Sequence, residues 1–382
     1  MSADGPLSPH AKVLFLTADL GGNVPPILAV AGALVRRGVA VEIAGVGTGG
    51  TGASPVPFEP ASAIDSGGGQ GWRGLSALGR LMVGRDSSRA VRALIAERGV
   101  DAVIADCMLP AVLRGAIDSG VPVVALFHTL GGYWAGPFDR GPLGTVFAAF
   151  GLRPRALWER AAARLLLTDP HLDPGRFLPQ LNGWTWTGTT EPGVEPGARA
   201  ERPRVLVSLS ASSWPGMLPV YRRIVDALAA IDVDAIVTTG GVDLGGVLSA
   251  RPNVDVRGWV PHTDLLPHVD LLIGHGGHST TMKALAHGVP LLVLPVNPTA
   301  DQRYIGEVIH KSGLGRMLHK RAGVPMLQRA IEAMLADDLL RSRAQETGRR
   351  LRSAPDGAET AADQIRSVLA RSGDGGAYSD HP

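Results

Sequence analysis

The stretch IGHGGHSTTMKALAHGVP, residues 273–290, sets two glycines between two histidines and follows them with hydroxyl side chains. It sits where an apolar run gives way to helical spacing and closes on Gly288-Val289-Pro290. A helix start leaves backbone N–H groups unpaired and carries the positive end of the helix dipole. Polarity and backbone freedom at such a place suit an anion, held by the free N–H groups with the His275 imidazole beside them. His275 and His278 are three apart, but no third metal ligand follows at a suitable spacing, so no metal is expected.

The elements that must position these residues are legible on both sides. KVLFLTADL, VAVEIAGV, DAVIAD and VPVVALFHT read as buried strands, with helical patterns at PPILAVAGALVRRG, SSRAVRALIAERG and LPAVLRGAIDSG. The alternation restarts after Arg202 with PRVLVSLS, VYRRIVDALAAI, VDAIVTTG, VDVRGWV, VDLLIGHGG and VPLLVLPV. Strands alternating with helices predict doubly wound parallel sheets, here two of them. The predicted division is 1–185 for the first domain, 186–203 for a linker rich in Gly, Pro and Thr, and 204–355 for the second. A C-terminal helix over 356–371 is expected to return to the first domain, and 372–382 to be a disordered tail. Ligands of open parallel sheets bind beyond the carboxyl ends of the strands, so the loops there are where chemistry belongs.

Composition removes several function classes. A net charge of +2 gives no footprint for nucleic acid or a polybasic membrane contact. The single cysteine, Cys107, excludes an intrachain disulfide and reads as a small buried residue. No apolar run is long enough for a membrane span, and the first residues lack the regions of a signal peptide, so a cytoplasmic protein is expected. GVGTGG at 45–50 matches a dinucleotide fingerprint in letters only, because the prolines after it deny the helix that fingerprint needs.

Three features then fall in a fixed order: an aromatic-Val-Pro turn at GWVPH, HGGHST, and Asp301-Gln302. Together with the opening VLFLTADLGGNVPPILAVAGALVRRG they resemble the family 1 nucleotide-sugar glycosyltransferases, which include plant and actinomycete natural-product enzymes. The resemblance implies the GT-B fold of two facing Rossmann-like domains with a cleft between them, the donor bound mostly by the second. By the same resemblance, Trp259 stacks on the nucleobase and the Val260 backbone bonds its edge. His275, Gly277, Ser279, Thr280 and Ser210 surround the diphosphate. Asp301 and Gln302 take the sugar hydroxyls. The reaction implied is inverting transfer of a sugar from a UDP- or dTDP-sugar to a small hydrophobic acceptor, aromatic or polycyclic, as in antibiotic biosynthesis. Neither cofactor nor metal is implied, and a homodimer is compatible with the sequence.

The chain departs from the family where the acceptor is activated. The family's catalytic histidine after the first strand is Asn23 here, and an amide is no general base near neutral pH. Asp106 matches the aspartate that normally pairs with that histidine. It is the expected base, with Asn23 positioning the acceptor and His128 and Asp139 in reserve. On the donor side, His262 stands where plant members have glutamine, and Lys283 where they have a ribose-binding glutamate. Two further readings share the fold: a nucleotide-sugar 2-epimerase and a non-catalytic nucleotide-sugar-binding partner protein.

Overall fold

The computed structural model describes residues 11–18, 22–46, 59–60, 79, 82–198, 200–209, 216–240, 248 and 250–373. Ser210, the glycine-rich loop past Val46 and the tail beyond residue 373 lie outside them. The chain divides into two compact units, one of Met1–Thr190 with Pro355–Pro382 and one of Glu191–Ala354. The stretch 186–203 expected as a linker is thus shared, Trp186 pairing into the first sheet and Glu191 opening the second unit.

The first unit holds seven strands: β1 Lys12–Ala18, β2 Ala40–Val46, β3 Glu59–Pro60, β4 Ala102–Asp106, β5 Val123–Phe127, β6 Ala163–Leu166 and β7 Thr185–Trp186. They pair in parallel in the order β3-β2-β1-β4-β5-β6-β7. β4 and β5 are buried along their whole length, as continuous apolar runs covered on both faces should be. Helix α1, Val24–Arg36, starts with prolines in its first turn, where no N–H is needed, and buries Ile27, Val30 and Leu34. α2, Arg85–Arg98, and α3, Pro110–Ile117, follow. The short β3, β6 and β7 have no apolar run long enough to announce them in the sequence.

The second unit holds β8 Arg204–Ser208, β9 Asp234–Thr238, β10 Val254–Arg257, β11 Leu271–Gly274, β12 Leu291–Val293 and β13 Gly315–Met317. All pair in parallel, in the order β10-β9-β8-β11-β12-β13. Val205, Val207, Val237, Ile273 and Leu292 of the sheet pack with Tyr221, Ile224, Leu327 and Ile331 of the helices in one core. The helix Gly357–Gly373 belongs to the first unit: Ala358, Ala361, Ile365 and Val368 share a core with Val13, Phe15, Ile27 and Leu34. Arg37 bonds Asp363 at 2.9 Å and also Glu359 on that helix.

Both sheets reverse direction beside their first strand, between β1 and β4 and between β8 and β11. At such a reversal the loops leave to opposite faces and open a crevice beyond the strand ends. Asn23 and Asp106 follow β1 and end β4; Ser208 ends β8 and His275 follows β11. Asn23, Asp106 and His275 therefore sit at the two topological switch points.

Candidate functional site

At the first switch point Asp106 is 1% exposed and Asn23 2%. Asn23 Nδ2 donates to Asp106 Oδ2 at 2.8 Å, to the Ala18 carbonyl at 2.7 Å and to Thr17 Oγ1 at 3.3 Å. Thr17 Oγ1 donates to the same carboxylate oxygen at 3.2 Å, and the Met108 N–H donates to Oδ1 at 2.9 Å. His128, just past β5, brings Nε2 to 3.4 Å from Oδ1. Burial raises the Asp106 carboxyl, but the His128 imidazole, the Met108 N–H and the Asn23 amide outweigh it and hold the pKa below its usual value. A carboxylate so held is a weak base, and the donor end of Asn23 is committed to the protein. Asp139 accepts from the Arg155 N–H at 3.3 Å, at the start of the helix Pro154–Glu159.

Asp106, Cys107 and His128 each offer a ligand atom, all within 4.8 Å of one another. The carboxylate is already taken by three donors, and burial, then the Asp106 charge, raise the Cys107 thiol well above its ordinary pKa. A buried neutral thiol beside a fully bonded carboxylate suits a hydrogen-bonded cluster better than a metal site.

At the second switch point β11 ends at Gly274, and the helix α4, His278–Ala286, begins behind Gly277. Met282, Leu285 and Ala286 face the core. Ser279 and Thr280 fall in its first turn, and Ser279 Oγ donates to Glu191, whose other oxygen is 3.3 Å from Lys283 Nζ. Lys283 therefore carries an ion pair, one turn into the helix. A carboxylate bridges a first-turn hydroxyl and an ammonium at an anion-favouring helix end. No local pattern singles out Glu191, which comes from the Pro/Gly-rich stretch and reaches the helix only through folding.

Burial pushes His275 down to about 4, with the Ser208 backbone pulling the other way and His262 adding to the fall. His262 is also lowered to about 4 by burial and by the Lys283 charge. Both imidazoles are neutral at pH 7, so the positive charge at this helix end is carried by Lys283. Trp259, after β10, is 66% exposed and is not a core residue; Val260 follows it. Gln302 Oε1 accepts from the Val296 and Asn297 N–H groups, each at 2.8 Å, so its carbonyl shapes the loop after β12. Asp301 precedes the helix Gln302–Lys311.

The lowered histidines give the second unit an acid-sensitive stability. Between pH about 4 and the usual 6.5 the unfolded chain binds protons that the folded unit does not. Their contribution is complete above 6.5 and is lost as pH falls towards 4, at about 1–3 kcal/mol for each histidine. Melting from pH 7 to 4.5 should show this loss, and His262→Gln should shrink it. A variant as acid-sensitive as the parent would refute it.

Residues 222–366 match the family described as erythromycin biosynthesis protein CIII-like, C-terminal domain. Demethyllactenocin mycarosyltransferase of Streptomyces fradiae is 37% identical over 174 residues, 44% of this chain and 36% of that one. Elloramycin glycosyltransferase ElmGT of Streptomyces olivaceus is 32% identical over 174 residues, 44% of this chain and 43% of that one. The matched stretch thus spans less than half the length of either relative. Among solved structures, the kitacinnamycin glycotransferase is 21% identical with a TM-score of 0.71, covering 94% of this chain and 99% of that one. The glycosyltransferase VinC, solved with dTDP, is 20% identical with a TM-score of 0.67, covering 94% and 100%. These likenesses show the fold, that of the GT-B glycosyltransferases.

Proposed function

We propose that this chain, whose residues 222–366 match the erythromycin biosynthesis protein CIII-like C-terminal domain, is a glycosyltransferase of the natural-product type. It moves a sugar from a UDP- or dTDP-sugar to a small aromatic or polycyclic acceptor, with inversion at the anomeric carbon. The observation that carries the reading is the second switch point. There a strand end, the start of α4, His275, Ser279 and Lys283 form one anion site.

The chemistry follows from the charges. The nucleoside diphosphate leaves with growing negative charge, and fixed N–H donors and an ammonium meet it without reorganising. A diphosphate bound to Ser279 and Lys283 replaces Glu191 on both. This arrangement supplies what a metal ion would otherwise supply, so none enters the reading. Asp301 accepts from sugar hydroxyls and the Gln302 NH₂ donates to them. The dTDP bound by VinC supports a deoxynucleotide donor, and the names of the two relatives, for demethyllactenocin and elloramycin, support a natural-product acceptor. The described residues include no helix long and apolar enough to cross a membrane.

The test is incubation with labelled UDP-glucose and dTDP-glucose and a panel of phenolic and polyketide aglycones. A glycoside of inverted anomeric configuration is expected. Conversion of the donor to its 2-epimer, with no glycoside, would overturn the reading in favour of an epimerase. Trp259→Ala should weaken UDP or dTDP binding by about 1–3 kcal/mol, the cost of a lost stacking platform. Its exposure means that the melting temperature should hold. Unchanged affinity by calorimetry would remove Trp259 from the nucleotide site.

A further inference from the structure

Three buried polar atoms at the end of β5 have no hydrogen-bond partner: His128 Nε2, Thr129 Oγ1 and Trp134 Nε1. His128 and Thr129 leave the strand in succession, and the Trp134 ring stands edge-on to His128, with centroids 5.4 Å apart. Trp134 opens a π-helical turn, Trp134–Phe138, a geometry frequent at functional sites. Unpaired buried polar atoms cost free energy, and a group of them needs a reason beyond packing.

The surroundings of His128 are those of a base with an orienting carboxylate. Nε2 is buried and lies 3.4 Å from Asp106 Oδ1, yet the side chain as a whole is 11% exposed. The accessible part of the ring therefore lies away from Nε2. Asp106 is fixed from its other sides by Thr17, Asn23 and Met108. Its lowered pKa leaves it ionised, suited to balancing an imidazolium and unsuited to taking the proton itself. The Cys107 thiol, also set against the ring, is kept protonated by burial.

We infer that His128 is the general base for the sugar transfer proposed above, acting through Nδ1 on a hydroxyl of the acceptor, with Asp106 as its positioning residue. The inference rests on that reading. The acceptor oxygen bonds to the anomeric carbon as the bond from that carbon to the diphosphate oxygen breaks. The bonding pair leaves with the nucleotide, the hydroxyl proton passes to His128 Nδ1, and the imidazolium faces Asp106 across Nε2–H. Asn23 cannot accept a proton; it anchors the carboxylate that orients the base. A site equipped to remove a proton selects hydroxyl acceptors.

The full-length chain is assayed with UDP-glucose and dTDP-glucose against 4-substituted phenols of graded acidity. His128→Gln should lower kcat about 10²–10⁴-fold while leaving the Kd for UDP or dTDP unchanged, and the loss should shrink as the phenol becomes more acidic. Asp106→Asn should lower kcat with the donor KM unchanged. A His128→Gln enzyme within threefold of the parent, with the same dependence on phenol acidity, overturns the base assignment and leaves sugar transfer standing. If the parent forms no glycoside, the transfer reading falls instead. Nitrogen NMR of the labelled parent still decides the pair, independently of turnover. The tautomer expected of the neutral ring has its proton on Nε2, facing Asp106, and Asp106→Asn removes that preference; a proton on Nδ1 overturns the inference.

Discussion

His275→Ala is expected to slow sugar transfer by roughly 10²-fold or more, the scale of losing one fixed donor to developing charge. The imidazole sits between the end of β11 and the start of α4, and burial keeps it neutral with a pKa of about 4. It acts through an N–H, not a positive charge, so the loss should be nearly constant from pH 6 to 9. His275→Lys should not restore the rate, because an ammonium lacks the planar donor and must be desolvated in the same place. Steady-state kinetics with either nucleotide donor, on variants shown to be folded, checks this. A rate and a nucleotide affinity both equal to the parent's would remove His275 from the diphosphate site.

Gly276→Ala should destabilise the second unit by about 2–5 kcal/mol, combining a left-handed backbone for a residue with a Cβ and an overpacked contact. Gly276 has φ +88°, and a Cβ there would meet the Gln302 carbonyl oxygen at 2.7 Å and Val293 Cγ1 at 2.8 Å. The carbonyl belongs to the backbone of a helix start and cannot move aside alone. The same contact joins the HGGH turn to the Asp301-Gln302 turn, so the strain should also loosen nucleotide binding. Gly258→Ala is the control: nothing lies within 4 Å of its added Cβ, and its effect should stay within about 0.5 kcal/mol. Equal melting temperatures for the two variants would show that the turn does not need its glycine.

Gly277 has a different reason to be glycine. A Cβ at that position would stand 2.5 Å from His275 Nε2. In sequence the pair of glycines reads as freedom for backbone to approach phosphate. In the structure one glycine clears a neighbouring turn and the other clears the imidazole. The residue types were legible and their partners were not, because a Cβ clash is a property of packing.

The sequence by itself determined that there are two parallel α/β sheets, since long apolar runs alternating with amphipathic helices admit few other arrangements. It also placed the candidate anion site, because a strand end and a helix start adjoin along the chain and bring His275 and Ser279 together locally. The short strands β6, β7 and β13 were silent, being too brief to show a period. The acceptor end was decided only by tertiary structure. Asn23 and Asp106 are 83 residues apart, and His128 lies on a third strand. Which of these is a base depends on burial and on which donors share the carboxylate. Glu191 reaches Ser279 across 88 residues of chain. Local periodicity encodes elements and the turns between them, whereas pKa and pairing are set by the distances that sheet order imposes on residues far apart in sequence.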